Sequence, residues 1–231
     1  MIGSQKVLGV IPARGGSKGL VGKNIRLAHG RPLLAWTIDA ARASKSVDRV
    51  VISTDDDGIM AVALSLGCDV PFRRPDHLAT DTATSIDVVL HALDALPGFD
   101  TVVLLQPTSP LRTGDDIDNA CALYARTGGG PCVSVSVVDH SPYLMYQLAE
   151  DLSIRPLLPM PDGATRRQDL PVAFALNGAI YISSVGDLRT TRTFITSHTV
   201  AYVMPQARSL DIDTISDFDA FSNIVNQCPN V

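Results

Sequence analysis

The sequence predicts an α/β fold with a mostly parallel sheet, and two observations carry that expectation. Short runs rich in valine and isoleucine alternate with longer segments whose apolar residues recur at helical spacing. The first such run also leads straight into a glycine-rich turn, as strands of open parallel sheets do where they meet a ligand. With 231 residues and 45% hydrophobic content the chain can bury a full core. We expect one domain over 1–231 with a single insertion.

Taken in order, the first strand is expected over 7–11, followed by a helix after Pro32 marked by Leu34, Ile38 and Ala41. A strand over 50–53 precedes a helix over 56–66 that carries Ile59, Ala63 and Leu66 at spacings of four and three. Ile86, Val89, Leu90, Leu93 and Leu96 define the next helix, which Pro97-Gly98 stops. After a strand over 102–105, Ile117, Ala120, Cys121 and Tyr124 mark a helix that ends at a run of glycines from Gly128, and a strand over 133–138 follows. The alternation then breaks. Residues 141–169 contain Pro142, Pro156, Pro159 and Pro161 without sustained periodicity, and read as a hairpin-like insertion. Strands over 178–183 and 200–204 and a helix from about Thr214 complete the chain.

Composition excludes several roles. A formal net charge of -5 argues against a general nucleic-acid surface. No apolar run approaches the length of a membrane span, and the first five residues are too short and polar for a signal peptide, so no membrane role is expected. Cys68, Cys121, Cys132 and Cys228 are widely spaced, without a CxxC pair or neighbouring histidines. That pattern suits free thiols in a reducing cytoplasm rather than zinc or a disulfide framework.

Against this acidic background the stretch VIPARGGSKGLVGKNIR, residues 10–26, stands out with four glycines and four basic side chains. Gly15, Gly16, Gly19 and Gly22 could turn backbone N–H groups toward a phosphate, and Arg14, Lys18 and Lys23 could add charge-assisted hydrogen bonds. Neither GxGxxG nor GxxxxGK[ST] is present, which argues against a dinucleotide fold and a P-loop. The plainer alternative is an ordinary loop with solvated Lys and Arg. Near the other end, Asp211 and Asp213 would share a face of an extended segment and suit Mg²⁺, although Asp213 could equally cap the helix that begins near Thr214. His29, His77, His91, His140 and His198 are scattered, Ser109 lies in no GxSxG elbow, and Trp36 falls on an apolar helix face.

Six ordered segments resemble the N-acylneuraminate cytidylyltransferases, or CMP-sialic acid synthetases, over essentially the whole chain. They are Ile11 to Gly19 with Gly22-Lys23-Asn24; Ser53-Thr54-Asp55; Leu78-Ala79-Thr80-Asp81-Thr82; Leu105 to Arg112; Asn177-Gly178-Ala179-Ile180-Tyr181; and Asp211-Ile212-Asp213-Thr214. The resemblance implies a Rossmann-like sheet with helices on both faces, a small dimerisation insertion and a homodimer. It also implies transfer of a cytidylyl group from CTP to the anomeric hydroxyl of a nine-carbon sugar acid, with Mg²⁺ or Mn²⁺, and no nucleic acid or membrane partner.

On the same basis Arg14, Gly15, Gly16, Ser17, Lys23, Asn24, Arg74 and Ser85 form the nucleotide site. Arg14 and Lys23 hold the triphosphate and, with Asp211, carry the catalysis. Asp211 and Asp213 bind the metal, while Gln106, Arg167, Tyr181 and Phe194 hold the sugar acid. The sequence departs from the family pattern in having Ala175-Leu176 where an Arg-Pro pair stands and Ile195 in place of a second aromatic residue. Both departures fall on the sugar side and leave N-acetylneuraminate and legionaminate open as acceptors. A nucleotide-binding module that has lost catalysis is the competing class, disfavoured because Arg14, Lys23, Asp211 and Asp213 are all present.

Overall fold

The computed structural model describes residues 2–16, 19–128, 130–163 and 166–227. Expectations for Ser17 and Lys18, and for the thiol of Cys228, therefore lie outside the described residues. In chain order the elements are β1 (Val7–Pro12), the short strands β2 (Leu27–Ala28) and β3 (Arg31–Pro32), α1 (Leu33–Ala43), β4 (Arg49–Ser53), α2 (Asp57–Ser65) and α3 (Ser85–Ala95). There follow β5 (Thr101–Leu104), α4 (Gly114–Arg126), β6 (Cys132–Val137), β7 (Tyr146–Leu148), β8 (Ile154–Pro156), β9 (Phe174–Ser184), α5 (Val185–Thr191), β10 (Val200–Val203) and α6 (Ile215–Gln227).

Six strands form the main sheet in the order β10-β6-β9-β5-β1-β4. β1 pairs in parallel with both β4 and β5, and β10 pairs in parallel with β6. Only β9 runs against its two neighbours. The near-continuous apolar run of β1 follows from this placement, because a parallel strand with helices on both sides buries both of its faces. One face packs Leu34, Ile38, Ala63, Ile117 and Tyr124 from α1, α2 and α4. The other packs Val89 and Leu93 of α3 and Leu188 of α5 against Val10, Val51 and Val102. A third cluster joins α6, through Phe218, Phe221 and Val225, to Leu20, Trp36 and Ile212.

Except at α1, which Pro32 precedes without a side-chain cap, the α-helix starts are secured by side chains. Asp56 accepts from the Ile59 N–H at 2.8 Å, Thr84 from Asp87, and Thr113 with Asp116 makes a reciprocal capping box. At α6 the Asp217 N–H donates to the Thr214 hydroxyl at 3.3 Å while the Asp217 carboxylate accepts from the Thr214 N–H at 2.8 Å. Thr214 thus fills the capping position, and the Asp213 side chain is left for another partner.

β9 is longer than the 178–183 expected from the sequence. It begins at Phe174, because pairing with Val135 to Val137 of β6 draws in residues that carry no alternating pattern. The register breaks between Val133 and Val135. There the Ser134 hydroxyl fills the gap, donating to Asn177 Oδ1 at 2.6 Å and accepting from the Ile180 N–H at 2.8 Å. Gly178, at φ +73°, makes this irregularity possible, since a side chain is strained in that conformation. The short helix α5 has too few turns to show periodicity in the sequence. Residues 141–169 carry the antiparallel pair β7 and β8.

One buried ion pair ties α4 to the sheet edge. Asp116, 1% exposed, accepts from Arg208 at 2.7 and 3.0 Å and from the Tyr202 hydroxyl at 3.0 Å. Burial pushes its carboxyl up, but the bonds from Arg208, Thr113 and Tyr202 outweigh that and hold it below the ordinary carboxylate value. The stabilisation is therefore present above the unfolded pKa and is lost as pH falls through the depressed folded value. Asp116→Asn should lower stability by about 3 kcal/mol, toward the lower end for a broken buried pair because Arg208 retains solvent contact. Urea unfolding at neutral pH measures that loss, and repeating it in acid should show the gap between variant and parent closing.

Candidate active site

A cleft of about 490 Å³ opens beyond the carboxyl ends of β1, β4 and β5, where open α/β sheets collect ligands. Its lining brings together Arg14, Lys23, Asn24, Arg74, Ser85, Gln106, Asp211 and Asp213 from among the residues expected to form a site. Gly15 and Gly16 belong to the same loop but do not line the cleft.

Arg14 leaves the end of β1 and reaches across the cleft to the Asp81 carboxylate at 2.7 Å, with a longer bond to the Ala79 carbonyl at 3.4 Å. Gly15 follows because nothing larger fits: a Cβ there would lie 2.7 Å from Asp56 Oδ2, and its N–H donates to Asp55 at 3.2 Å. Asn24 Nδ2 donates to the Arg14 carbonyl at 3.0 Å, while its Oδ1 is buried with no partner among the described residues. This acceptor is available to a ligand donor.

Lys23, 8% exposed, joins the two ends of the chain, donating to the Ile212 carbonyl at 2.7 Å and to Asp213 Oδ1 at 3.1 Å. Gly19 lies so close to this strand that a Cβ would meet the Asp213 carbonyl at 2.5 Å. Arg74, 3% exposed, donates to the hydroxyl and the carbonyl of Ser53. Burial lowers its pKa to about 10, with Asp55 opposing the shift and Arg14 adding to it. An anion in the cleft would relieve this strain between like charges.

Ile212 is fully buried while Asp211 and Asp213 on either side of it reach the cleft, so the extended segment places both carboxylates on one face. Although Asp211 is open to the cleft, the surrounding protein thins its water and raises its carboxyl; the nearby Asp213 charge adds to the rise, and bonding to Thr108 and the Lys23 charge oppose it. Among the described residues no group of three or more His, Cys, Asp or Glu is disposed to hold a metal. Two carboxylates on one face are a donor set for a hard cation that completes its shell with phosphate oxygens and water.

On the sugar side the expectations separate. Gln106 lines the cleft where β5 ends. Tyr181, on β9, does not line the cleft and packs against the core; burial and then Asp211 push its phenol up. Phe194 is expected in the sugar pocket, but it is 5% exposed and packs into the core with Val133, Val135 and Leu188, its ring 5.6 Å from that of Tyr181. Its apolar ring is drawn under the sheet rather than into the polar cleft. Arg167 is not in the cleft either. It is exposed, donates to the Asp139 carbonyl and lines a separate cavity bounded by Val137 and Pro171. Sequence reasoning assigned no role to Asp81 or Thr108, although both lie in segments that carried the resemblance; their signal was the segment, not the side chain.

Residues 8–138 match the family described as cytidylyltransferase. The chain is 36% identical over 214 residues to an N-acylneuraminate cytidylyltransferase of Escherichia coli, covering 93% of this chain and 51% of that protein. It thus spans about half the length of that relative. A CMP-N,N'-diacetyllegionaminic acid synthase of Legionella pneumophila is 37% identical, covering 92% of this chain and 93% of its own. The fold is similar to that of a CMP:2-keto-3-deoxy-manno-octonic acid synthetase solved with CTP, at a TM-score of 0.71 and 16% identity over 96% of this chain and 99% of the other. By the family match and by these relatives, the chain belongs to the cytidylyltransferase family.

Proposed function

We propose that this protein transfers CMP from CTP to the anomeric hydroxyl of a nine-carbon, sialic-type sugar acid. The observation that carries the reading is the convergence of Arg14 and Lys23 from one end of the chain with Asp211 and Asp213 from the other, on a single cleft. In the reaction the sugar hydroxyl attacks the α-phosphorus, a new O–P bond forms, and the bond to the β-phosphate oxygen breaks to release pyrophosphate. Two anions must meet, so the site has to offset their repulsion before attack.

We assign the triphosphate to Arg14, Lys23 and the loop backbone where Gly19 lines the cleft; Ser17, outside the described residues, stays a proposed contact. The orphan acceptor of Asn24, together with Arg74 and Ser85, is assigned to the nucleoside. Asp211 and Asp213 would hold Mg²⁺, or Mn²⁺ in its place. When bound, the ion neutralises charge on the triphosphate and the departing pyrophosphate. Gln106 is assigned to the acceptor, and Tyr181, which does not line the cleft, would reach an acceptor only if its side chain moved out of the core packing.

Relatives named for N-acylneuraminate and for diacetyllegionaminic acid match at nearly equal identity, and we keep both acids as candidate acceptors. A homodimer is supported by the exposed apolar side chains Leu148, Leu152, Ile154 and Leu157 on and next in sequence to the β7–β8 hairpin, and Phe174 and Leu176 at the start of β9. Arg167 would serve an acceptor only from a surface outside its own subunit's cleft. Buried free thiols at Cys68, Cys121 and Cys132 agree with a cytoplasmic setting. No helix among the described residues is long and apolar enough to cross a membrane.

The direct test is pyrophosphate release from CTP with N-acetylneuraminate and N,N'-diacetyllegionaminate, each alone. Release should require one of the acids, and release with neither overturns the proposal. Asp211→Asn should cut turnover roughly 100-fold, equivalent to about 3 kcal/mol of preorganised electrostatics. Because the folded pKa of Asp211 is raised, its charge opposes folding above that value and is relieved as pH falls. The same variant should therefore melt no lower than the parent at neutral pH, a result that a purely structural role for Asp211 does not allow. Asp81→Asn should release Arg14 and tighten binding of CTP several-fold by calorimetry.

A further inference from the structure

Arg112 is a cation buried next to the cleft residue Gln106. It is 2% exposed, and among the described residues its guanidinium makes no hydrogen bond to a carboxylate. One nitrogen, Nη1, donates to the Ala179 carbonyl at 2.6 Å and the Gln106 carbonyl at 3.2 Å. The other, Nη2, donates to the Thr37 hydroxyl at 2.7 Å and to the same Gln106 carbonyl at 3.2 Å. Nε is buried with no partner among the described residues. Burial drives its pKa down to about 9, with only the more distant Asp116 charge opposing the shift.

A cation stripped of water without a bonded counter-charge destabilises a fold that leucine or methionine could fill at lower cost. What Arg112 gains is geometry. One of its backbone partners, Gln106, lines the cleft, and the other, Ala179, belongs to the β9 segment packed directly behind Gln106 and Asp211. Gln106 lies just beyond the end of β5 and lines the cleft. Ala179 follows Gly178 in the β9 irregularity, and a Cβ on Gly178 would lie 3.6 Å from Asp211 Oδ2 and 3.7 Å from Gln106 Oε1. Thr37 anchors the fork to α1 on the buried side. Its bonds reach neither Arg14, Lys23 nor Arg74. A planar fork can hold these diverging acceptors together, whereas an ammonium cannot hold them in the same plane.

We propose that Arg112 is a positioning residue for the acceptor: by gripping the Gln106 and Ala179 carbonyls together it sets where the Gln106 amide meets the sugar acid. The proposal rests on the reading that the Gln106 side of the cleft takes the acceptor. It assigns Arg112 to acceptor recognition and leaves nucleotide binding to the other loops.

The test compares the parent with Arg112→Lys, Gln106→Ala and the double variant. In Arg112→Lys the KM for the accepted sugar acid should rise about tenfold while the Kd for CTP alone, by calorimetry, stays within about twofold. In the Gln106→Ala background the same substitution should cost less than about threefold, because the two residues act as one unit. Equal weakening of CTP and acceptor, or additive effects in the cycle, overturns the proposal. If Arg112→Lys does not fold, Thr37→Val removes one acceptor from the same fork and should raise the acceptor KM about threefold with CTP binding unchanged; an unchanged acceptor KM then overturns it. Parent protein inactive with both acids sinks the function instead. In that event amide hydrogen exchange still decides: faster exchange in Arg112→Lys confined to 105–109 and 177–181 supports the clamp, and a uniform rise refutes it.

Discussion

The site depends on Lys23. Its buried ammonium holds the Ile212 carbonyl and the Asp213 carboxylate, joining two parts of the chain that are 190 residues apart. The bond to the Ile212 carbonyl is charge-assisted and buried, whereas the Asp213 carboxylate stays largely exposed and adds less; neither bond acts alone. Behind them Leu20, Trp36, Ile212, Phe218 and Phe221 form an apolar cluster, with the Trp36 and Phe221 rings edge to face at 5.4 Å. Gly19 then closes to van der Waals limits on the Asp213 carbonyl. Apolar packing brings the segments together, and Lys23 fixes the register in which cations and carboxylates face one cleft.

This arrangement explains how an acidic protein can offer a binding site to anions. The chain carries a net charge of -5, yet Arg14, Lys23 and Arg74 line one cleft. Each is held by the protein: Arg14 by Asp81, Lys23 by Asp213, and Arg74 by Ser53. A phosphate that engages Arg14 has to displace the Asp81 carboxylate, so part of its Coulombic gain goes into breaking that pair. Arg74 has neutral bonding partners, and its depressed pKa records that its charge is only partly compensated.

The antiparallel strand β9 performs the corresponding task on the other wall. It lies between β5 and β6, so its irregularity at Asn177 and Gly178 falls directly beside the end of β5. Ser134 and Arg112 satisfy the backbone groups that the broken ladder exposes. Gln106 and Asp211 meet across Gly178 as a result. The same strand continues back to Phe174 and Leu176, whose side chains are exposed like those of the hairpin. One strand therefore links the cleft wall to the face proposed for a second subunit.

Much of this was legible in the sequence. The alternating strands and helices, the glycine-rich turn after β1 and the paired aspartates around Ile212 are local patterns, set by period and residue type, and the structure keeps each of them. Arg14, Lys23, Asn24, Arg74, Ser85, Gln106, Asp211 and Asp213 were named from segments of sequence and meet in one cleft. Other features depend on neighbours distant in sequence and carry no local signature. The start of β9 is decided by pairing with β6, the partner of Arg14 is Asp81 across the cleft, and the capping role open to Asp213 passes to Thr214 because Lys23 takes the aspartate. Phe194 and Arg167 show the same limit: an aromatic ring or a guanidinium fits a sugar acid equally well on paper, but whether it reaches the cleft is settled by which surface the folded chain leaves it on. By itself the sequence determined which chemistry the chain carries, because residue type and period are local; tertiary structure alone decided which of those groups share a solvent-accessible wall, because only long-range packing brings them within bonding distance.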